Sequence, residues 1–237
     1  MTTIAFDSST SVCSAALLRD GTVLSERINL NGNNHAALLP KYVQELQSEA
    51  DRLGLTVEGI VLSEGPGSYT GLRISTSLAK GLCYGAELPL IVVPTLAVLA
   101  YGACSAGQIA DAGALVCPMI DARRMEVYCT LYDTDMHPLR PVAPVVVDEH
   151  SFDEVLDGHV VYFCGNGSDK CRKVISHPNA RFADNAVPTG ALAGRLAAAY
   201  AGRADLVRII TGTDRAYFEP NYLKEFVAAP SHVKGLK

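Results

Sequence analysis

Apolar residues open the chain in short runs. TIAFD (3–7), VCSAALL (12–18) and TVLSERI (22–28) read as three strands, with Asp20 and Gly21 as the hairpin turn between the last two. The period then changes. Leu38, Leu39, Tyr42, Val43, Leu46 and Leu53 recur at helical spacing, which predicts a helix over about 36–53. A strand at 59–64, a glycine loop, a helix at 71–86, a strand at 90–93 and a helix from Thr95 to about Tyr101 follow. Strands followed by alternating helices predict an α/β lobe with a mixed sheet.

The Ala- and Gly-rich stretch 102–113 is the candidate boundary, giving lobes at 1–104 and 105–237. Beyond it, ALVCPMI (114–120) and MEVYCTLYD (125–133) read as paired strands joined by Asp121, Ala122, Arg123 and Arg124. Met125, Val127, Cys129 and Leu131 alternate with polar or aromatic residues, the period of a half-buried strand. VVYFCGNGSD (160–169) repeats the theme of an apolar strand ending in a glycine turn and a helix start. An Ala-rich helix is expected at 189–201, and the tail FEPNYLKEF (218–226) reads as irregular.

The segment GPGSYTGLR (65–73) is the most informative in the chain. Gly65 and Gly67 permit positive φ or a close backbone approach, and Pro66 fixes the turn between them. Amides at the start of a helix attract anions, yet the details depart from the phosphate-binding patterns. Leu72 and Arg73 follow Gly71 where a Walker loop needs Lys and Ser or Thr. The spacing Gly65, Gly67, Gly71 is one residue too long for a dinucleotide fingerprint. The other reading is a rigid structural loop. In the helix behind it, Ser77, Gly81 and Gly85 form a small-residue stripe beside a ridge of Ile74, Leu78 and Leu82. Two mid-helix glycines cost about 1 kcal/mol each relative to Ala, which calls for close approach of another helix, from this chain or a partner.

Composition narrows the field. The 237 residues are 49% hydrophobic and 19% charged, enough to bury two modest cores. A net charge of −5 argues against a primary nucleic-acid binder, so any RNA work is shared with a more basic partner. MTTIAFDSST has neither a basic leader nor an apolar core, which points to a cytoplasmic protein with no membrane contact. Seven cysteines without a CxxC pair disfavour a disulfide framework and a zinc site; most are expected to be small buried hydrophobes.

Candidate chemistry is sparse. Asp7, Ser8, Ser9 and Thr10 lie between the first two strands, where proteins of the actin and hexokinase superfamily carry a metal-holding Asp and phosphate-facing groups. With Gly165 and Gly167 of CGNGS (164–168) they could frame an ATP cleft; the alternative is an ordinary Asx turn. His35 opens the first long helix, but Leu39 stands four residues on, where a metal-binding pair needs a second His. No GxSxG elbow is present, and Ser68 is its nearest imitation. Arg123 and Arg124 beside Asp121 read as a surface ion pair or a partner contact.

IAFDSST, HAALLP, GPGSYTGLRISTSLAKG, DARRMEVY and EPNYLKEF occur in an order and spacing that closely resembles the bacterial TsaB family, also called YeaZ. The likeness spans essentially the whole chain. It implies a two-lobed α/β fold of the actin and hexokinase type, with a mixed sheet in each lobe flanked by helices. It also implies a noncatalytic subunit of the machinery that places threonylcarbamoyl on the adenosine next to the anticodon of tRNA. In that family the subunit pairs with a TsaD-like catalytic subunit through helices of the first lobe, and a TsaE-like ATPase joins. The resemblance assigns the interface to Ile74, Ser77, Leu78, Gly81, Leu82 and Gly85, with Leu38 and Tyr42 of the preceding helix. It gives Gly65, Pro66, Gly67, Gly71 and Arg73 a structural role. No cofactor is required, and weak ATP or ADP binding is left to a vestigial cleft at Asp7, Ser8, Ser9, Gly165 and Gly167. Alone, the chain is expected to form a homodimer through the same helices, and tRNA is met mainly through the complex. The competing class is an ATP-dependent kinase or transferase of the same superfamily. Tyr69 stands where Phe is more usual in the loop.

Overall fold

The two halves of the chain repeat one strand plan. The computed structural model describes residues 1–32, 34–184 and 186–223. In the first half, β1 (Thr2–Asp7), β2 (Cys13–Arg19) and β3 (Thr22–Asn29) form an antiparallel meander, and β4 (Gly59–Ser63) and β5 (Leu90–Val93) extend it in parallel on the other side of β1. In the second half, β6 (Leu115–Asp121), β7 (Glu126–Cys129) and β8 (Ala143–Val146) form the meander, and β9 (Val161–Cys164) and β10 (Ala180–Phe182) add in parallel beside β6. The fold is the expected mixed α/β type, with two mixed sheets flanked by helices.

Helix α1 (His35–Arg52) and helix α2 (Tyr69–Gly85) cover the outer face of the first sheet. Leu39, Val43, Leu46 and Ala50 of α1 and Ala79 and Cys83 of α2 are buried there against Ile4, Phe6, Ile60 and Leu62. Burial of such side chains contributes roughly 1.5–3 kcal/mol each. The second sheet has only the short α4 (Asp153–Leu156) and α5 (Ser168–Cys171) in the corresponding places, over a core of Phe152, Leu156 and Phe163.

Between the sheets lie α3 (Thr95–Ser105) and α6 (Gly190–Ala199). Their residues Leu96, Leu99, Ala100, Ala193, Leu196 and Ala197 share one core with Val61 and Val93 of the first sheet and Val116 and Ile120 of the second. Helix α3 packs on β6, whereas α6 packs across β1 and β2. Both are rich in Ala and Gly, which permits close packing on a sheet.

The chain therefore crosses between the halves more than once. A single split at residue 104 places α6 with the second lobe, whereas α6 lies on the first sheet. Likewise β11 (Arg208–Ile210) pairs antiparallel with β5 and closes the edge of the first sheet, in the order β11-β5-β4-β1-β2-β3. Three-residue β11 has no readable alternation, so its return is invisible to periodicity.

The hairpin at Asp20 and Gly21 is present, with both residues at positive φ. Arg123 and Arg124 form the equivalent left-handed pair between β6 and β7 without Gly or Asn to announce it. Among the described residues no helix is long and apolar enough to cross a membrane.

Candidate functional site

The glycine loop is built to press onto the β1–β2 turn. Ser68 N–H donates to the Ser9 carbonyl at 2.6 Å, and Ser8 Oγ donates to the Gly71 carbonyl at 2.8 Å. A β-carbon at Gly67 would overlap the Ser9 carbonyl oxygen, and one at Gly71 the Ser8 carbonyl oxygen. Only glycine lets the two backbones approach this closely. Ser68 then caps α2, its side chain accepting from Gly71 N–H at 3.3 Å. That role accounts for the serine that imitates a nucleophile elbow. The Gly65–Pro66 peptide bond is cis, and both residues are buried.

Asp7 lies beneath this contact and is fully buried. Its Oδ1 accepts from Ser9 N–H at 3.0 Å and from Ser9 Oγ at 3.0 Å, which is an Asx turn. Loss of solvent pushes its carboxyl up to about 6, partly offset by the nearby Ser63 and Ser9 groups and by His35. Among the described residues the buried Ser63 Oγ has no partner at hydrogen-bonding geometry.

A strap from the end of the described chain locks the other side of the loop. Asn221 N–H donates to the Glu64 carbonyl at 2.7 Å, and Tyr222 packs on Tyr69 with ring centroids 4.8 Å apart. Arg73 is exposed and reaches back over the Tyr69 ring at 5.3 Å. Lys80 Nζ donates to the Phe218 carbonyl at 2.9 Å. Arg215, in the one-turn α7 (Asp214–Tyr217), donates to the carbonyls of Cys83 and Leu88 at 2.7 and 2.6 Å. Arg208 of β11 pairs with Glu64. The segment read from sequence as an irregular tail is thus ordered by α2 and the loop as far as Leu223; residues 224–226 of that segment lie outside the described residues.

A cleft of about 870 Å³ opens between the β1–β2 turn, the starts of α1 and α2, and the β6–β7 hairpin. Ser9, Thr10, His35, Gly67 and Tyr69 line one wall, and Asp121, Arg123, Tyr128 and Asn166 the other. His35 Nε2 lies 3.1 Å from the Thr10 carbonyl, so it ties α1 to the β1–β2 turn. Asp121 pairs with Lys170, not with the neighbouring arginines, and its N–H donates to Asn166 Oδ1 at 3.1 Å. Among the described residues the Arg123 guanidinium has no carboxylate partner.

Of the residues nominated for a nucleotide on the β1–β2 turn, Ser9 and Thr10 border this cleft. Asp7 and Ser8 are covered by the glycine loop, and Gly165 and Gly167 are filled by the backbone of Met119 and Ile120. The nominated set therefore does not assemble an open phosphate or metal site. Sequence reading missed Lys170 and Tyr222; Asn166 lay within the CGNGS turn it nominated, and with the DARR hairpin that turn was the signal for this wall.

The nominated interface residues do share a surface. Leu38, Tyr42, Ile74, Leu78 and Leu82 are partly buried against the core under α1 and α2. Ser77, Gly81 and Gly85 are exposed, and a β-carbon at Gly81 or Gly85 would meet nothing within 4 Å. Tyr84, beside them, is 76% exposed. Among the described residues no element of the chain covers the stripe. Six of the seven cysteines are buried and Cys104 is half-buried.

A family model described as TsaD, tRNA N6-adenosine threonylcarbamoyltransferase, matches residues 23–224. The tRNA threonylcarbamoyladenosine biosynthesis protein TsaB of Bacillus subtilis is 37% identical over 144 residues, 61% of this chain and 60% of that protein. TsaB of Escherichia coli is 36% identical over 135 residues, 57% of this chain and 56% of that protein. The chain thus spans under two thirds of the length of the curated relatives it matches. The crystal structure of YeaZ from Pseudomonas aeruginosa superposes with a TM-score of 0.75 at 26% identity, covering 94% of this chain and 99% of that one. The chain belongs to the TsaD family, and within it to the TsaB (YeaZ) proteins.

Proposed function

We propose that the chain is a noncatalytic subunit in the biosynthesis of threonylcarbamoyladenosine on tRNA, working in the cytoplasm beside a TsaD-like catalytic subunit and a TsaE-like ATPase. The observation that carries this reading is the pairing of TsaB kinship with the burial of Asp7 and Ser8 of the β1–β2 turn under the glycine loop. In a kinase or transferase of this superfamily that turn faces phosphate. Here the chain's own glycine loop occupies the approach, and the buried Asp7 carboxylate is engaged by Ser9. The same burial weighs against the ATP-dependent alternative.

Its contribution is then structural: it offers a surface. The outer face of α2, between α1 and the 214–222 strap, carries Ser77, Gly81 and Gly85, where another helix can approach closely without displacing side chains. Gly81, exposed in the interior of α2, costs about 1 kcal/mol relative to Ala, whereas Gly85 ends the helix; a docked helix would recover the cost at Gly81. The partner is the catalytic subunit, and in its absence a second copy takes the same face.

The test is threonylcarbamoyl transfer to tRNA by the TsaD-like and TsaE-like proteins supplied with an activated donor, with and without this chain. Transfer that needs the chain and survives Asp7→Ala supports a noncatalytic role. Transfer lost on Asp7→Ala in an intact complex gives the chain a chemical role, and transfer indifferent to the chain removes the reading.

A further inference from the structure

The cleft between the sheets combines three properties. It is aromatic: Tyr69, Tyr128 and Tyr222 all border it. It is biased toward anions in a chain of net charge −5. Among the described residues, Arg123 lines it without a carboxylate partner, and the one lining carboxylate, Asp121, is taken by Lys170. And its floor is closed to a polyphosphate, because the Asp7–Ser8 turn lies under the glycine loop.

These properties select a ligand. Aromatic walls favour a planar group that stacks without regard to its identity, and an isolated guanidinium favours one phosphate rather than a chain of three. Asn166, with Oδ1 engaged by the Asp121 amide, turns its NH2 donors to whatever edge is presented. A cleft of about 870 Å³ has room for a nucleotide unit, base and phosphate together.

We propose that this cleft takes an unstacked nucleotide of single-stranded RNA, with the base against the tyrosines and its phosphate on Arg123. The assignment rests on the proposed role in tRNA modification and gives that role a point of direct RNA contact. It also fits the acidic balance of the chain: one nucleotide is held by stacking and one cation, with no basic surface required. A free nucleoside monophosphate carries the same chemistry, so the experiment separates the two.

The full chain is titrated into a fluorescein-labelled single-stranded RNA heptamer, read by anisotropy at several salt concentrations, with AMP and Mg·ATP as competitors. Arg123→Met should weaken binding about tenfold and lower the log–log salt slope by about one. Tyr128→Ala should weaken it at least fivefold while Tyr128→Phe does not, because stacking needs the ring alone. Each variant is checked for an unchanged melting temperature, and Tyr128→Phe keeps the aromatic test open if Tyr128→Ala does not fold.

No binding of the heptamer, or binding indifferent to both positions, overturns the assignment. So does AMP matching the RNA, which makes the ligand a free nucleotide, or Mg·ATP displacing it preferentially. If the heptamer binds through Arg123 but the modification assay does not need the chain, the proposed function fails and the cleft assignment stands. If modification needs the chain while the heptamer is not bound, the reverse holds.

Discussion

The backbone amide of Ser68 reaches the carbonyl of Ser9 at 2.6 Å, joining the start of α2 to the β1–β2 turn across 59 residues of chain. That single contact explains the composition around it. Two backbones at hydrogen-bonding distance leave no volume for side chains, so Gly67 and Gly71 are fixed by their surroundings and Gly81, on the open face of the same helix, is not.

Gly71→Ala is expected to cost at least about 3 kcal/mol, because the new methyl must displace the Ser8 carbonyl. For a chain of this size that is roughly 6–12 °C in melting temperature. Gly81→Ala should be neutral or stabilising by up to about 1 kcal/mol, since a helix interior gains from the lost backbone freedom of the unfolded chain. Thermal melts of the two variants check this, and effects of equal size would show that the loop tolerates a side chain.

Asp7 sets a pH dependence with an unusual sign. Its carboxyl is held up at about 6 in the folded chain, against an ordinary value of 3.8. The folded state therefore binds the proton more tightly, and this group's contribution to stability falls as pH rises from about 4 to about 6. The loss is on the order of 3 kcal/mol. Asp7→Asn keeps the shape and an acceptor for Ser9 while removing the charge. Urea unfolding at pH 4 and pH 7.5 should show the variant gaining on the parent chain at the higher pH, and parallel pH profiles would mean that Asp7 ionises without penalty.

How much of this was legible in the sequence depends on the range of the forces involved. The meander, α1, the strand and glycine loop, and α2 were readable because each is set by local period and turn chemistry: Leu39, Val43 and Leu46 repeat at helical spacing, and Asp20-Gly21 makes its own turn. The Asx turn at Asp7 was likewise readable as one of two alternatives. What was not readable is long-range. Nothing in RII (208–210) says that it pairs with β5, and nothing in Ala-rich α6 says which sheet it covers. The hairpin joining β6 and β7 was readable from its two apolar runs, but the left-handed conformations of Arg123 and Arg124 and the placement of Arg123 in the cleft emerged only from the fold. Asp7 was nominated for chemistry on its position at the end of β1. The loop that seals it comes from residues 65–71, and only the packing of Gly67 and Gly71 reveals this.

The strap offers a test of local stability. Phe218 is 6% exposed and is the only side chain of residues 214–222 in the core under α2. Phe218→Ala should free this segment before the rest of the chain unfolds, because the remaining hold comes from Lys80, Arg215, the Asn221 amide and the packing of Tyr222 on Tyr69, all near the surface. Trypsin cleavage after Arg215 should then accelerate by on the order of tenfold or more, tracking the population of the open segment. A cleavage rate that rises only in step with global unfolding would make the strap an integral part of the first sheet.

The open face of α2 carries the last prediction. A β-carbon at Gly81 meets nothing within 4 Å and the position is exposed, so Gly81→Leu should leave the melting temperature unchanged or raise it. Against a partner helix seated on Ser77, Gly81 and Gly85 the same side chain fills the space the partner's backbone needs. Association with the TsaD-like subunit, measured by calorimetry, should weaken by on the order of a hundredfold, about the 2.7 kcal/mol expected when packed helices are forced apart by one large side chain. Sedimentation of the variant alone should shift toward monomer, since a second copy is proposed to use the same face. Full affinity for the catalytic subunit with a lost homodimer would assign the stripe to self-association alone and move the heterodimer to another surface. Full affinity in both would leave the two exposed glycines without a partner and remove the helix-to-helix contact on which the proposed role of this chain depends.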